Sequence, residues 1–243
     1  MGTNLKVAAI TGACGGLGRA LSHALAEQGY SLVVGGRSQA ALSGLTQDLS
    51  AFTKVEGIVL DIRKSSECKK FISAAEEKFG RLDVLINNAG ILKMEDIEDV
   101  EENNLKDIFD TNVFGTIFCT RAAAKIMKKQ GSGCIVNIAS RAAVDRYPPM
   151  LSVYTASKAA VIGFSGCLKN ELAHDNIDVF AVSPYFITST RLYRSVDSHT
   201  KADGKQKLVL NAVLHPESVA EKILERIENP KGEWHVILGG NLN

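Results

Sequence analysis

The chain has 243 residues, 45% of them apolar and 23% charged, enough to fill one sizeable core. Lys and Arg number 28 against 27 Asp and Glu, and the resulting formal charge of +1 excludes the basic footprint of a nucleic-acid binder or a binder of acidic membrane surfaces. No apolar run approaches the roughly 18 residues of a membrane span, and the apolar stretch of "MGTNLKVAAITG" breaks at Thr11-Gly12, so neither a span nor a secretory leader is expected.

Along the chain, short apolar runs alternate with helix-like segments. The runs are "VAAIT" (7–11), "SLVVGG" (31–36), "VEGIVLD" (55–61), "LDVLINN" (82–88), "GCIVNIAS" (133–140), "NIDVFAVSP" (176–184) and "WHVIL" (234–238). Continuous Val/Ile-rich strands are the mark of strands buried on both faces. Their alternation with helices predicts an α/β fold with a Rossmann-type doubly wound parallel sheet of about seven strands. No linker divides it, so residues 1–243 are read as one domain. The segment from Phe186 to His215 lacks a strand and is polar in its middle, and is read as a substrate lid. Arg191, Arg194, Lys201, Lys205 and Lys207 make it basic. Five dispersed cysteines with no CxxC and no His at ligand spacing fit free thiols in a reducing, cytoplasmic compartment and give no metal site.

"ITGACGGLGRAL" joins the first strand to the first helix. Gly12, Gly16 and Gly18, with Leu17 between, allow a tight turn and close backbone approach to a pyrophosphate at a helix N-terminus. After the second strand, "GGRS" puts Arg37 and Ser38 where a carboxylate would bind a free 2′-hydroxyl; an arginine there favours a 2′-phosphate, hence NADP(H) over NAD(H). In "YTASKAAV", Tyr154 and Lys158 are four apart at the start of a helix and share a face. The pair is either a surface contact or a tyrosine acid whose pKa the lysine lowers.

With "TGACGGLG", "NNAG" (87–90), "TNVFG" (111–115), "IVNIAS" and "YTASK" in order, the chain resembles the short-chain dehydrogenase/reductase family over about its first 190 residues. The resemblance implies an enzyme that interconverts a carbonyl and an alcohol with a nicotinamide cofactor. It implies catalytic roles for Asn112, Ser140, Tyr154 and Lys158: Tyr154 as acid/base, Lys158 as the cation that lowers the phenol's pKa and bonds the nicotinamide ribose, Ser140 on the substrate oxygen, and Asn112 positioning a water. Cofactor contacts are implied at Asp61 and Ile62, at Asn88, Ala89 and Gly90, and at Pro184, Ile187 and Ser189, where Thr188 could serve instead; Asn87 is expected to be structural. The family also implies a homodimer or homotetramer, built on the surfaces of a long helix from about Glu101 to Lys129 and of the helix carrying Tyr154.

Three departures stand out. Pro184-Tyr185 replaces the usual Pro-Gly, Ser140 and Tyr154 are fourteen residues apart rather than thirteen, and "GEWHVILGGNLN" only loosely matches the family's last strand. Tyr147, Pro148, Pro149, Met150, Tyr185, Phe186, Leu192 and Tyr193 would wall a small, hydrophobic substrate pocket. The rival reading is a regulator that binds the cofactor with little turnover; an intact Tyr154–Lys158 pair speaks against it.

Overall fold

The computed structural model describes residues 5–190, 192, 213–230 and 232–239. Each of the seven apolar runs becomes a strand: β1 (Val7–Thr11), β2 (Ser31–Gly36), β3 (Val55–Val59), β4 (Val84–Asn87), β5 (Gly133–Ile138), β6 (Ile177–Pro184) and β7 (His235–Leu238). They form one sheet of order β3-β2-β1-β4-β5-β6-β7, every pairing parallel. The order reverses between β1 and β4, and in such sheets ligands sit beyond the carboxyl ends of the strands at that switch point.

On one face lie α1 (Gly16–Glu27), α2 (Gln39–Leu49) and α7 (Pro216–Glu228), burying Leu21, Leu25, Leu45 and Ile223 against Ile10, Val34 and Phe180. On the other lie α3 (Ser65–Phe79), α5 (Gly115–Gln130) and α6 (Ser152–Leu172), burying Phe71, Met127 and Leu172 against Ala9, Leu85 and Val179. Alternate residues of one strand thus enter opposite layers, which is why the runs are apolar without alternation. α7 opens with Pro216 at its first turn, where the missing N–H costs nothing. Its buried Arg226 donates to Asp178 Oδ2 at 2.7 Å and to Glu233 O at 2.8 Å, pinning the helix to β6 and to the approach to β7.

The uniform burial expected of all seven strands fails at the edges. Val59 is 48% exposed and Ile237 47%, because β3 and β7 each have a neighbour on one side only. The long helix expected from Glu101 to Lys129 is also corrected. It is α4 (Glu102–Phe109) followed by a π turn (Asp110–Phe114) and then α5. Such widened turns interrupt helices mostly at functional sites, and this one carries Asn112. Most of the expected lid falls outside the described residues; at its two ends, Ile187 and Leu214 pair in an isolated parallel bridge.

Candidate active site

The carboxyl ends of β1, β2, β4, β5 and β6 surround two adjoining cavities. One, of about 370 Å³, is lined by the glycine turn, Arg37, Ser38, Asp61, Ile62 and Ala89. The other, of about 420 Å³, is lined by Ser140, Tyr154, Lys158, Pro184 and Ile187. Asn88, Gly90, Leu17, Thr190 and Leu192 border both, so the two form one trough.

In the first cavity, Gly12 has φ +63, a left-handed backbone costly for any other residue. A Cβ on Gly18 would lie 2.2 Å from Gly12 O, so only glycine lets the helix start this close to β1. α1 begins after Gly15 with no side-chain cap and no acidic residue in its first turn. Its first N–H groups and the positive end of its dipole are thus available at the cavity wall, an arrangement suited to a phosphate. Asn88 holds the strand ends together: Nδ2 donates to Thr11 O at 3.0 Å and Gly12 O at 3.1 Å, while Thr11 Oγ1 accepts from the N–H groups of Asn88 and Ala89. Thr11 was not singled out in the sequence; its signal is its place at the end of β1, directly before Gly12.

At the far end of this cavity Arg37 is exposed and makes no ion pair among the described residues. Ser38 caps α2, its Oγ accepting from Ala41 N at 3.3 Å. Asp61 is held by Arg63, whose Nε and Nη2 bind the carboxylate at 3.0 and 2.9 Å while Nη1 reaches Asp107 at 2.9 Å. That guanidinium keeps the Asp61 carboxyl below the usual carboxylate range. Ile62 is buried and packs against α5, where a Cβ on Gly115 would meet it at 2.6 Å.

The second cavity brings Ser140, at the end of the β5 segment, to Tyr154 and Lys158 on the first turns of α6. Tyr154 and Lys158 are 6% and 4% exposed, so the surface-pair alternative is excluded. Lys158 Nζ donates to Ile138 O at 2.7 Å and lies 5.9 Å from the centre of the Tyr154 ring. The expected depression of the phenol's pKa is not found in the protein itself. Burial pushes Tyr154 up to about 12, opposed by its hydrogen bond with Ser140, and burial pulls Lys158 down to about 8. Taking both groups out of water penalises each charged form, and at this separation the cation does not outweigh that cost.

Asn112, buried in the π turn, clamps Ile91: its Nδ2 donates to Ile91 O at 2.9 Å and its Oδ1 accepts from Ile91 N at 2.9 Å. Nδ2 also donates to Ser157 Oγ at 3.0 Å, and Ser157 donates to Tyr154 O at 2.7 Å. Ser157 therefore links Asn112 to the first turns of α6. The only sequence sign of it is its position three residues after Tyr154, on the same face of α6. A Cβ on Gly90 would sit 3.3 Å from Asn112 Oδ1 and 3.4 Å from Lys158 Nζ, so the bare glycine leaves a gap between them. Asn87 lies in a separate buried ladder, donating to Thr120 Oγ1 and Asn137 Oδ1.

Pro184, the last residue of β6, and Ile187, just beyond it, are buried in the cavity wall, while Ser189 is exposed with φ +61 on the side of the glycine turn. Thr188 turns instead to Leu214, binding its carbonyl through both N–H and Oγ1. Tyr185 lines the second cavity, as expected. Its ring packs edge-on against Phe186 at 5.1 Å, with the guanidinium of Arg146 5.4 Å from its centre. The lengthened loop before α6 takes left-handed backbone at Tyr147 (φ 39) and Met150 (φ 61), the latter fixed by Glu95 N donating to Met150 O at 3.0 Å. Pro148, Pro149, Phe186 and Leu192 line the cavity as expected; Tyr193 lies outside the described residues.

The short chain dehydrogenase family model matches residues 6–201. An uncharacterized oxidoreductase of Methylorubrum extorquens is 38% identical over 186 residues, covering 76% of this chain and 74% of that protein. Among solved structures, a variant actinorhodin polyketide ketoreductase crystallised with NADPH superposes with TM-score 0.92 at 27% identity, covering 100% of this chain and 99% of the other. An NAD+-bound xylitol dehydrogenase superposes with TM-score 0.90 at 23% identity, covering 97% and 98%, a likeness of fold. With the ordered motifs, the parallel sheet and the match over residues 6–201 all in agreement, this chain belongs to the short-chain dehydrogenase family of oxidoreductases.

Proposed function

We propose that the protein reduces the carbonyl of a small, hydrophobic substrate to an alcohol with NADPH, and runs the reverse reaction with NADP+. The observation that carries this reading is the buried Ser140–Tyr154–Lys158 cluster opening into an apolar cavity continuous with the glycine turn. The residues suit a dinucleotide. Gly12, Gly16, Leu17 and Gly18 would hold the pyrophosphate, Asp61 and Ile62 the adenine, Lys158 the nicotinamide ribose, and Asn88, Ala89, Gly90, Pro184, Ile187 and Ser189 the remaining length. Arg37 and Ser38 would take a 2′-phosphate, and Arg37 favours that form by its charge. When bound, the reduced cofactor supplies the hydride that adds to the carbonyl carbon.

Tyr154 supplies the proton. At neutral pH its phenol is fully protonated, ready to donate to the carbonyl oxygen as that oxygen gains negative charge. Ser140 Oγ, on the wall of the same cavity as the phenol, would hold the same oxygen. Lys158 stabilises the tyrosinate left behind, and Asn112 keeps the Ile91 and Ser157 sides of the site in register. A protonated resting acid favours reduction over oxidation near neutrality. A cofactor-binding regulator would have no use for a buried phenol aimed into a substrate cavity.

The test is NADPH oxidation against a panel of ketones, aldehydes and quinones, with NADH, Tyr154→Phe and Arg37→Ala alongside. Tyr154→Phe is expected to lower kcat/KM by at least ~10²-fold, the usual worth of a positioned acid, while NADPH still binds. Arg37→Ala is expected to cost roughly tenfold in the NADPH:NADH ratio, the value of one charge-assisted contact. Turnover that survives intact in Tyr154→Phe would refute the mechanism; an unchanged ratio would refute the role of Arg37.

A further inference from the structure

Among the described residues that line the first cavity, Asp61 is the one carboxylate. It is clamped at both ends. Its backbone N–H donates to Glu67 Oε2 at 2.8 Å, and Glu67 is itself held by Lys64 Nζ at 2.9 Å. Its side chain, 21% exposed, accepts from three donors of Arg63: the backbone N–H at 3.1 Å and Nε at 3.0 Å on Oδ1, and Nη2 at 2.9 Å on Oδ2. Nε also leans to Oδ2 at 3.3 Å. The remaining arm of the guanidinium, Nη1, donates to Asp107 Oδ1 at 2.9 Å. One planar group thus spans two carboxylates, one just after β3 and one on α4, and cannot turn without breaking a bond to either. Ion pairs as exposed as these contribute little to stability. What this one fixes is a direction.

An ionised carboxylate only accepts hydrogen bonds, at about four lone-pair sites, and the donors of Arg63 leave about one of them for the cavity. Arg63 also keeps the carboxyl below the usual carboxylate range, so no proton caps that site near neutral pH. An acceptor that cannot rotate favours a donor and repels another acceptor at the same place. Adenine carries a donor at C6, its amino group, whereas hypoxanthine and guanine carry a carbonyl oxygen there. We infer that Arg63 is a positioning residue for cofactor selection, fixing Asp61 so that the base is read by its 6-amino group. This rests on the NADPH reading of the cavity and deepens it, with Arg63 acting through Asp61.

The experiment titrates NADPH and deamino-NADPH, in which hypoxanthine replaces adenine, into wild type, Arg63→Gln, Arg63→Lys and Asp61→Asn. Binding is followed by the fluorescence of the reduced nicotinamide that both cofactors share. Wild type is expected to bind NADPH about 10- to 100-fold more tightly, the worth of one hydrogen bond to a charged group. Arg63→Gln lets the carboxylate turn away from a carbonyl and leaves it to be ordered by an amine, so the ratio should fall about 2- to 10-fold. Arg63→Lys, a point charge without the fork, should recover part of that loss. Asp61→Asn can turn either a donor or an acceptor to the base, and its ratio should be about one. The two cofactors carry the same phosphates, so a change in the charge of the cavity cancels in the ratio. A merely structural Arg63 would alter stability and leave the ratio at its wild-type value; that result would overturn the inference, as would equal binding of the two cofactors by wild type. Because no carbonyl is reduced, the outcome is independent of the substrate. Failure of wild type to bind either cofactor would overturn the cofactor reading and the inference with it.

Discussion

Lys158 should be a stability liability retained for function. Burial pulls its pKa down to about 8 from an ordinary 10.5. Holding the charge inside therefore costs about 3 kcal/mol at pH 7, at 1.36 kcal/mol per pKa unit. Against this stands its hydrogen bond to Ile138 O, worth about 1 kcal/mol net. Lys158→Met, an apolar side chain of similar length, is thus expected to stabilise the fold by about 2 kcal/mol at pH 7 while abolishing turnover. The pH dependence identifies the cause. Because the folded pKa is lower than the unfolded one, the unfolded chain binds more protons between about pH 8 and 10.5. Wild-type stability gains from this group as pH rises through that window, and the cost is fully present below it. The difference between variant and wild type should shrink by about 3 kcal/mol between pH 7 and pH 11 and reverse sign at the top. Urea unfolding of both proteins at pH 7, 9 and 11 measures it, and titrations common to both cancel in the difference. A variant less stable than wild type at pH 7, or a difference independent of pH, would refute the argument that the ammonium is held at a desolvation cost.

Reductive kcat/KM should be level below pH 8 and fall about tenfold per unit above it, as Lys158 loses the proton it needs to stabilise the tyrosinate. A level profile to pH 10 would remove Lys158's charge from the mechanism. Gly18→Ala places a methyl 2.2 Å from Gly12 O and 2.8 Å from Ala13 Cα, backbone that cannot step aside. It should cost at least ~2 kcal/mol of stability and most of the cofactor affinity, read by urea unfolding and NADPH fluorescence titration; unchanged binding would mean the cofactor lies elsewhere. Phe71, fully buried beneath β2 and β3, should cost about 3–5 kcal/mol when truncated to alanine, with cofactor affinity per folded molecule unaffected.

Seven Val/Ile-rich runs at regular intervals determined the strands and their parallel order, because parallel strands need a helix between each pair and bury both faces. The glycine turn was equally legible, since only glycine tolerates a backbone atom where Gly18 meets Gly12 O. The side chains of Ser140, Tyr154 and Lys158 could be named from spacing and resemblance. Their electrostatic state could not. Whether a lysine four residues away lowers a phenol's pKa depends on how deeply both are buried and where the ammonium points, and here β5 supplies the Ile138 carbonyl that draws it. The π turn at Asn112 was hidden because its residues have ordinary helical composition, and the clamp on Ile91 exists only once β4 and the helix meet. Arg146 carries no periodic signal in its loop. Only the tertiary structure brings it against the ring of Tyr185 and beside Asp145 at the cavity wall.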